Sequence, residues 1–229
     1  MKKVNVLDKG YVIIHEDGVM GSDKTIANAA RVSYQKRTED LTQADERLIS
    51  FLAREGHTSP FRHATLQFEV RCPLMIARQW WKYVVGSGFQ DPMVAWNESS
   101  RRYVTEENEY HLPIDWRSKP SNSKQGSGEN IPFDKAMNWT ALLDNHQKEG
   151  ERLYQLAMQQ GIAPEQARLF TPSYGLYVTF YWTASVQGVA HLIKQRTKQD
   201  AQYEFQLFAN AVKDLAEEHF PIAIKELLK

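Results

Sequence analysis

Between Ala64 and Cys72, apolar Leu66, Phe68 and Val70 alternate with polar Thr65, Gln67, Glu69 and Arg71. A period of two predicts a strand with one buried face. Val4 and Val6, then Tyr11 to Ile14, predict a hairpin around an Asp8-Lys9-Gly10 turn. Ser22-Asp23 caps a predicted amphipathic helix running to about Val32, and Thr42 with Asp45 forms a capping box for another that ends before Gly56. Pro73 opens a helix through about Tyr83, because a missing N–H costs nothing in a first turn. Phe133 to Gln160 reads as one long helix, with a bend expected near Gly150 and Gly161 as its stop, and a short helix follows Pro164. Tyr174 to Thr183 is rich in aromatic and β-branched residues, as a buried strand is. Helices over about Ser185 to Gln195 and Gln202 to Phe220 complete the path. Strands and long helices without regular βαβ alternation predict an α+β fold, a mixed sheet packed with long helices.

The chain has 229 residues and no linker dividing it into comparable halves, so one domain over 1–229 is expected. The polar stretch around 113–131, least structured over Lys119 to Gly128, is expected to be a mobile surface loop. Twenty-eight basic residues balance 28 acidic ones, which argues against a general nucleic-acid binder and leaves only room for a local basic pocket. Cys72 is the only cysteine, so an intrachain disulfide and a zinc site built on thiolates are both excluded; it reads as core. Asp8, Lys9 and Gly10 interrupt any leader-like apolar run, and no stretch reaches membrane-span length. A soluble cytoplasmic protein is the expectation. Glycine-rich phosphate loops of the Rossmann and P-loop patterns are missing from the sequence.

The chemistry concentrates in two places. Trp96-Asn97-Glu98-Ser99-Ser100-Arg101-Arg102-Tyr103 sets an amide, a carboxylate, two hydroxyls and two guanidiniums side by side. Arg102 with the Ser99 and Ser100 hydroxyls suits a nucleotide phosphate, and Glu98 suits a ribose hydroxyl or the orientation of the arginines; a solvated charged turn is the alternative. In Arg78-Gln79-Trp80-Trp81-Lys82-Tyr83, Arg78 and Lys82 share a helix face by spacing, with Gln79 elsewhere. Trp80 and Trp81 read either as core or interface, or as a surface that stacks a planar ring. His57 and His63 lie six apart, which does not suit chelation by one helix, while Ser59 and Arg62 between them can meet a phosphate. No metal is expected. Arg196, in the run Lys194 to Lys198, either complements a helix dipole or points into a cleft to stabilise charge on a substrate oxygen, and Arg168 carries a similar ambiguity.

Together these residues resemble the flavin-dependent thymidylate synthases. Asn97-Glu98, Ser100, Arg102 and Tyr103 match the second half of that family's signature, Arg78-Gln79-Trp80 matches its lead-in, and Ser87 its first serine. The likeness extends through Ala29, Arg31-Val32-Ser33, His57 to His63, Gln202 and Glu204. The chain departs from the pattern where Lys82-Tyr83-Val84 replaces Arg-His-Arg, where Gly88 to Ala95 forms an eight-residue insertion, and at Ser185 and His191. The resemblance implies that Gln79, Lys82, Glu98, Ser99, Ser100, Arg101, Arg102, Arg168 and Arg196 line a dUMP site, with Arg196 catalytic. It implies FAD contacts at Ser59, Lys82, Tyr83, Val84, Glu98, Ser185, Val186, Gln187 and His191. It further implies NADPH and methylenetetrahydrofolate as co-substrates, and a homotetramer with shared sites in which Arg168 serves a neighbour's nucleotide. Two rival readings are a related flavoprotein without methyl transfer, and a nonenzymatic nucleotide or single-stranded nucleic-acid module stacking bases on Trp80 and Trp81.

Overall fold

The computed structural model describes residues 2–85, 94–99, 107–121 and 126–229, the side chains of Val84 and Val85 excepted. The predicted hairpin forms from β1 (Lys2–Val6) and β2 (Gly10–Met20), paired antiparallel with Lys2 opposite Ile14 and Val6 opposite Gly10. Gly10 is required there because a Cβ would sit 2.6 Å from the Val6 carbonyl and 2.8 Å from that of Arg71. β3 (Thr65–Pro73) lies beside β2, β5 (Tyr177–Ser185) beside β3, and the short edge strand β4 (Ala95–Glu98) beside β5. The order is β1-β2-β3-β5-β4, and every pairing is antiparallel rather than mixed as the sequence predicts. Periodicity identifies a strand's buried face but not the direction of its neighbour, and a connection as long as that between β3 and β5 permits either direction.

Leu66, Phe68 and Val70 of β3 and Val178, Phe180 and Trp182 of β5 face one core, shared with α3 (Leu74–Val85), α6 (Val186–Arg196) and α7 (Tyr203–His219). Buried Trp80 of α3 is its hinge point, with ring centroids 5.4 Å from both Phe180 and Trp182 and 5.3 Å from Phe205. That burial removes Trp80 as a stacking platform for a base. Two helices predicted from their caps, α1 (Asp23–Arg31) and α2 (Gln43–Arg54), form as read; the Thr42 backbone N–H donates to Asp45 Oδ2 at 2.9 Å. The sequence gives no notice of α8 (Pro221–Leu228), which follows α7 directly with Pro221 in its first turn. Buried Asp23 accepts from the Ile222 and Ala223 amides, each at 3.0 Å, and so caps α8 from the far end of the chain.

The long helix α4 (Phe133–Gln159) continues unbroken through Gly150, where the sequence predicts a bend. Gly150 instead permits close approach: a Cβ there would meet Pro172 Cδ at 2.7 Å and the Phe170 carbonyl at 2.8 Å. This contact seats the segment containing the short helix α5 (Pro164–Ala167) and Arg168 against α4. Within 113–131, the Ser118 N–H donates to the Glu129 carbonyl and the Ile131 N–H to that of Trp116, both at 2.8 Å. None of the described helices is long and apolar enough to cross a membrane.

Candidate active site

Because Trp80 is locked in the core, the residues around it on α3 fall on two flanks. Gln79, Lys82 and Tyr83 face a polar cavity of about 520 Å³, which Arg196, Lys198 and Gln202 also line. Arg78 lines a different cavity of about 550 Å³, together with Glu98, Ser99, Asn108, Tyr154 and Arg168. The helical spacing of Arg78 and Lys82 suggests one face, but Lys82 lies between the directions of Arg78 and Gln79 and sides with Gln79, its i−3 neighbour.

In the first cavity, Arg196 closes α6 and its Nη1 donates to Gln79 Oε1 at 3.2 Å. Its guanidinium carbon lies 4.9 Å from the Phe205 ring centroid and 5.3 Å from that of Tyr83. Arg196 Nε is buried and has no hydrogen-bond partner among the described residues. Buried donors are rarely left so, and the same side chain lines the cavity. Burial raises the Tyr83 hydroxyl above its ordinary range, against the pull of the Arg196 charge. The Tyr83 ring lies 5.7 Å from His191, whose basicity burial depresses and Lys198 depresses further. The wall offers the Arg196 guanidinium and the Lys82 and Lys198 ammonium groups beside the carboxamides of Gln79, Gln195 and Gln202, with Asp200 the one carboxylate among the described lining residues, a mostly cationic and donor-rich set that suits an anionic ligand.

The second cavity is built on β4. Trp96 stacks on Phe180 at 3.8 Å with 19° between planes, and Trp81 meets the Trp96 ring at 5.4 Å and 76°. That stack holds Glu98 at the strand end. The packed strand withdraws enough water to push the Glu98 carboxyl above its ordinary range, while Arg78 pulls it back. The Ser99 N–H donates to the Thr179 carbonyl at 2.8 Å and its hydroxyl accepts from the Thr179 N–H at 3.2 Å, which extends the ladder by one residue. Arg168 is exposed, its Nε donating to the Glu165 carbonyl at 3.2 Å. Among the described residues its outer nitrogens take no hydrogen-bond partner, and the side chain lines this cavity.

Of the predicted flavin contacts, Lys82 and Tyr83 line the first cavity and Glu98 the second, while Ser59, Ser185, Val186, Gln187 and His191 lie on a third strip. Ser59 opens a turn of 3-10 helix over Ser59–His63 and is exposed. Arg62 Nη1 donates to Gln187 Oε1 at 3.1 Å, tying that turn to the first turn of α6. Ser185 is buried and its hydroxyl accepts from the Gly188 N–H at 3.1 Å, so it serves as the N-cap of α6; the Val186 side chain is buried in the core. Ser59, Arg62, Gln187 and His191 leave hydroxyl, guanidinium, amide and imidazole groups beside a helix N-terminus, a donor set that suits the phosphates of a dinucleotide. The Tyr83–His191 contact joins this strip to the first cavity.

The structure therefore brings together Gln79, Lys82, Tyr83 and Arg196, and separately Glu98, Ser99 and Arg168. Ser100, Arg101, Arg102, Tyr103, Ser87 and most of the Gly88 to Ala95 insertion lie outside the described residues, as does the Val84 side chain. Gln202 and Glu204 enter the sequence reading only as points of likeness. Their roles were not legible because the partners Gln79 and Arg117 are far away in sequence. Among the described residues no group of three or more His, Cys, Asp or Glu is placed to hold a metal ion.

Comparison with known proteins follows the same path. The family model described as thymidylate synthase complementing protein matches residues 17–222. The chain is 34% identical over 220 residues to the flavin-dependent thymidylate synthase of Thermus thermophilus, covering 96% of this chain and 76% of that protein. It is 31% identical over 227 residues to the flavin-dependent thymidylate synthase of Thermotoga neapolitana, covering 99% and 94%. The fold is similar to that of the UMP/dUMP methylase PolB from Streptomyces cacaoi, solved bound with 5-Br dUMP, at a TM-score of 0.81 and 22% identity over 97% and 96% of the two chains. With that family's model spanning the hairpin's second strand through the last helix, the chain belongs to the thymidylate synthase complementing protein family.

Proposed function

We propose that this protein is a flavin-dependent thymidylate synthase that methylates dUMP to dTMP, with methylenetetrahydrofolate as carbon donor and NADPH as reductant. The observation that carries the reading is Arg196, which lines a polar cavity and whose buried Nε has no partner among the described residues. A guanidinium cannot surrender its proton at any ordinary pH, so Arg196 acts by stabilising negative charge that develops on the uracil ring. Gln79 holds the guanidinium in plane, and the Phe205 and Tyr83 rings exclude water from one side of it. Lys82 supplies further positive charge at the cavity mouth. Glu98 and Ser99, with Ser100, Arg101 and Arg102 next in sequence, complete the dUMP set, and Arg168 takes its phosphate.

FAD fits the strip of Ser59, Arg62, Gln187 and His191, with Tyr83, Lys82 and the backbone around Ser185 to Val186 at its borders, while Glu98 lines the other cavity; when bound, it supplies the redox chemistry and one-carbon relay that no side chain offers. The protein's own part is to align, anchor phosphate and keep His191 neutral at the junction. One nucleotide must reach both the Arg196 cavity and the Glu98–Arg168 cavity, which line different flanks of α3 in a single chain. We read this as a homotetramer with shared sites, Arg168 reaching a neighbour's nucleotide, in the reducing cytoplasm that suits buried, unpaired Cys72. To test the reading, the purified chain is supplied with FAD and examined by visible absorption, and dUMP binding is measured by calorimetry. Retained yellow flavin and saturable dUMP binding are expected; finding neither overturns it.

A further inference from the structure

Behind Arg196 runs a file of hydrogen bonds whose direction is forced at both ends. Arg117 is bonded to Glu204 Oε1 and also donates through Nε to Ser127 Oγ at 2.9 Å. Glu204 is buried, and Gln202 Nε2 donates to its Oε2 at 3.0 Å. Gln202 Oε1 in turn accepts from Gln79 Nε2, whose other hydrogen goes to the Met75 carbonyl at 3.3 Å. Gln79 Oε1 is left for Arg196. An ionised carboxylate only accepts and a guanidinium only donates, so each carboxamide between them has one permitted orientation. Burial raises the Glu204 carboxyl, but Arg117 and Gln202 outweigh that and hold it below the ordinary range, which keeps it ionised at neutral pH.

The consequence lies at the cavity wall. Arg196 presents donors directly beside an obligate acceptor, Gln79 Oε1. Uracil offers the complement, a carbonyl oxygen next to the N3–H. Cytosine offers an unprotonated N3 at the same place, and two acceptors would then face each other. A site built around a hydrogen bond rejects the analogue that leaves its buried group unpaired. We propose that the Arg117–Glu204–Gln202 file is a specificity device: it fixes the Gln79 carboxamide with its oxygen toward the cavity and so selects a uracil nucleotide over a cytosine nucleotide. Glu204 is a positioning residue that acts through Gln202 and Gln79, and Gln202, which also lines the cavity, passes the orientation on.

The inference rests on the dUMP reading above. Its test is the ratio of dCMP to dUMP dissociation constants, measured by calorimetry on the parent chain and on Glu204→Gln. The substituted amide can donate, so Gln202 loses its fixed direction and Gln79 Nε2 its assured acceptor, and only the Arg196 and Met75 contacts still hold the Gln79 oxygen toward the cavity. The ratio is expected to fall about tenfold, the equivalent of roughly 1.4 kcal/mol. A merely structural role weakens both nucleotides alike and leaves the ratio fixed; a ratio within twofold of the parent overturns the device while leaving dUMP binding intact. A parent chain that binds neither nucleotide overturns the functional reading and the device together. Gln202→Leu, which removes the acceptor opposite Gln79 Nε2 at similar volume, is measured in parallel with melting curves for both variants, and it decides the matter should Glu204→Gln fail to fold.

Discussion

Replacing Arg196 by lysine keeps the charge but removes the planar fork. The structure shows what is lost: the Nη1 bond to Gln79 Oε1 at 3.2 Å, an Nε donor without a partner among the described residues, and a flat cation 4.9 Å and 5.3 Å from the Phe205 and Tyr83 rings. A hydrogen bond to a charged group contributes about 1.5–3 kcal/mol, and weaker contact of an ammonium with two rings adds roughly 0.5–1 kcal/mol. Only a hydrogen bond that Arg196 makes to the ligand counts toward the transition state, and losing about 1.5–3 kcal/mol there corresponds to a fall of roughly 10- to 160-fold in kcat/KM. Stability should fall modestly, by about 1–2 kcal/mol, because the Gln79 bond and the ring contacts are made in the free protein, whereas Nε has no partner there among the described residues. The check is steady-state methylation of dUMP beside urea melts. A kcat/KM within threefold of the parent refutes the reasoning, and a large fall in stability with matching loss of activity refutes the separation of the two roles.

Other consequences are structural. Asp23→Ala removes the acceptor of two α8 amides; about 2 kcal/mol should be lost, a Tm drop of about 4–8 °C for a chain of this size in a thermal melt. Gly150→Ala puts a methyl group 2.8 Å from the Phe170 carbonyl, which has no flexible end to yield. Despite a helix-propensity gain of about 1 kcal/mol, the variant should be about 1–2 kcal/mol less stable by urea melt. The lowered Glu204 carboxyl sets a pH dependence: between its folded value and the ordinary 4.5 the folded chain holds fewer protons than the unfolded one. Its stabilisation is therefore full above about 4.5 and is lost as pH falls through the folded value. Urea midpoints of the parent and Glu204→Gln should converge as the pH is lowered from 6 to 3, and a constant gap contradicts the assignment.

What could be read in the sequence was local. The caps at Ser22 and Thr42 and the alternation along Leu66, Phe68 and Val70 are set by neighbours a few residues apart, and those elements appear with boundaries near those expected. Ala95–Glu98 was read as chemistry and not as a strand, since four residues with only one large apolar side chain carry no period; the Trp96–Phe180 stack makes it one. Pro221 after Phe220 looks like a terminator, and it begins α8 only because Asp23, at the other end of the chain, caps it. The same limit held for the site. Arg196 and Gln79 could be nominated from residue type and family likeness, but the file through Gln202, Glu204 and Arg117 joins positions brought together only by folding.

The central claim is that this scaffold turns dUMP into dTMP. The direct measurement is dTMP formed by the purified chain, followed by chromatography, with FAD, NADPH, methylenetetrahydrofolate and dUMP present and each omitted in turn. Multiple turnovers that need every component, and that vanish in Arg196→Ala while its melting curve stays that of a folded protein, are the predicted result. No dTMP from a folded, flavin-loaded chain, or equal dTMP from Arg196→Ala, contradicts the account.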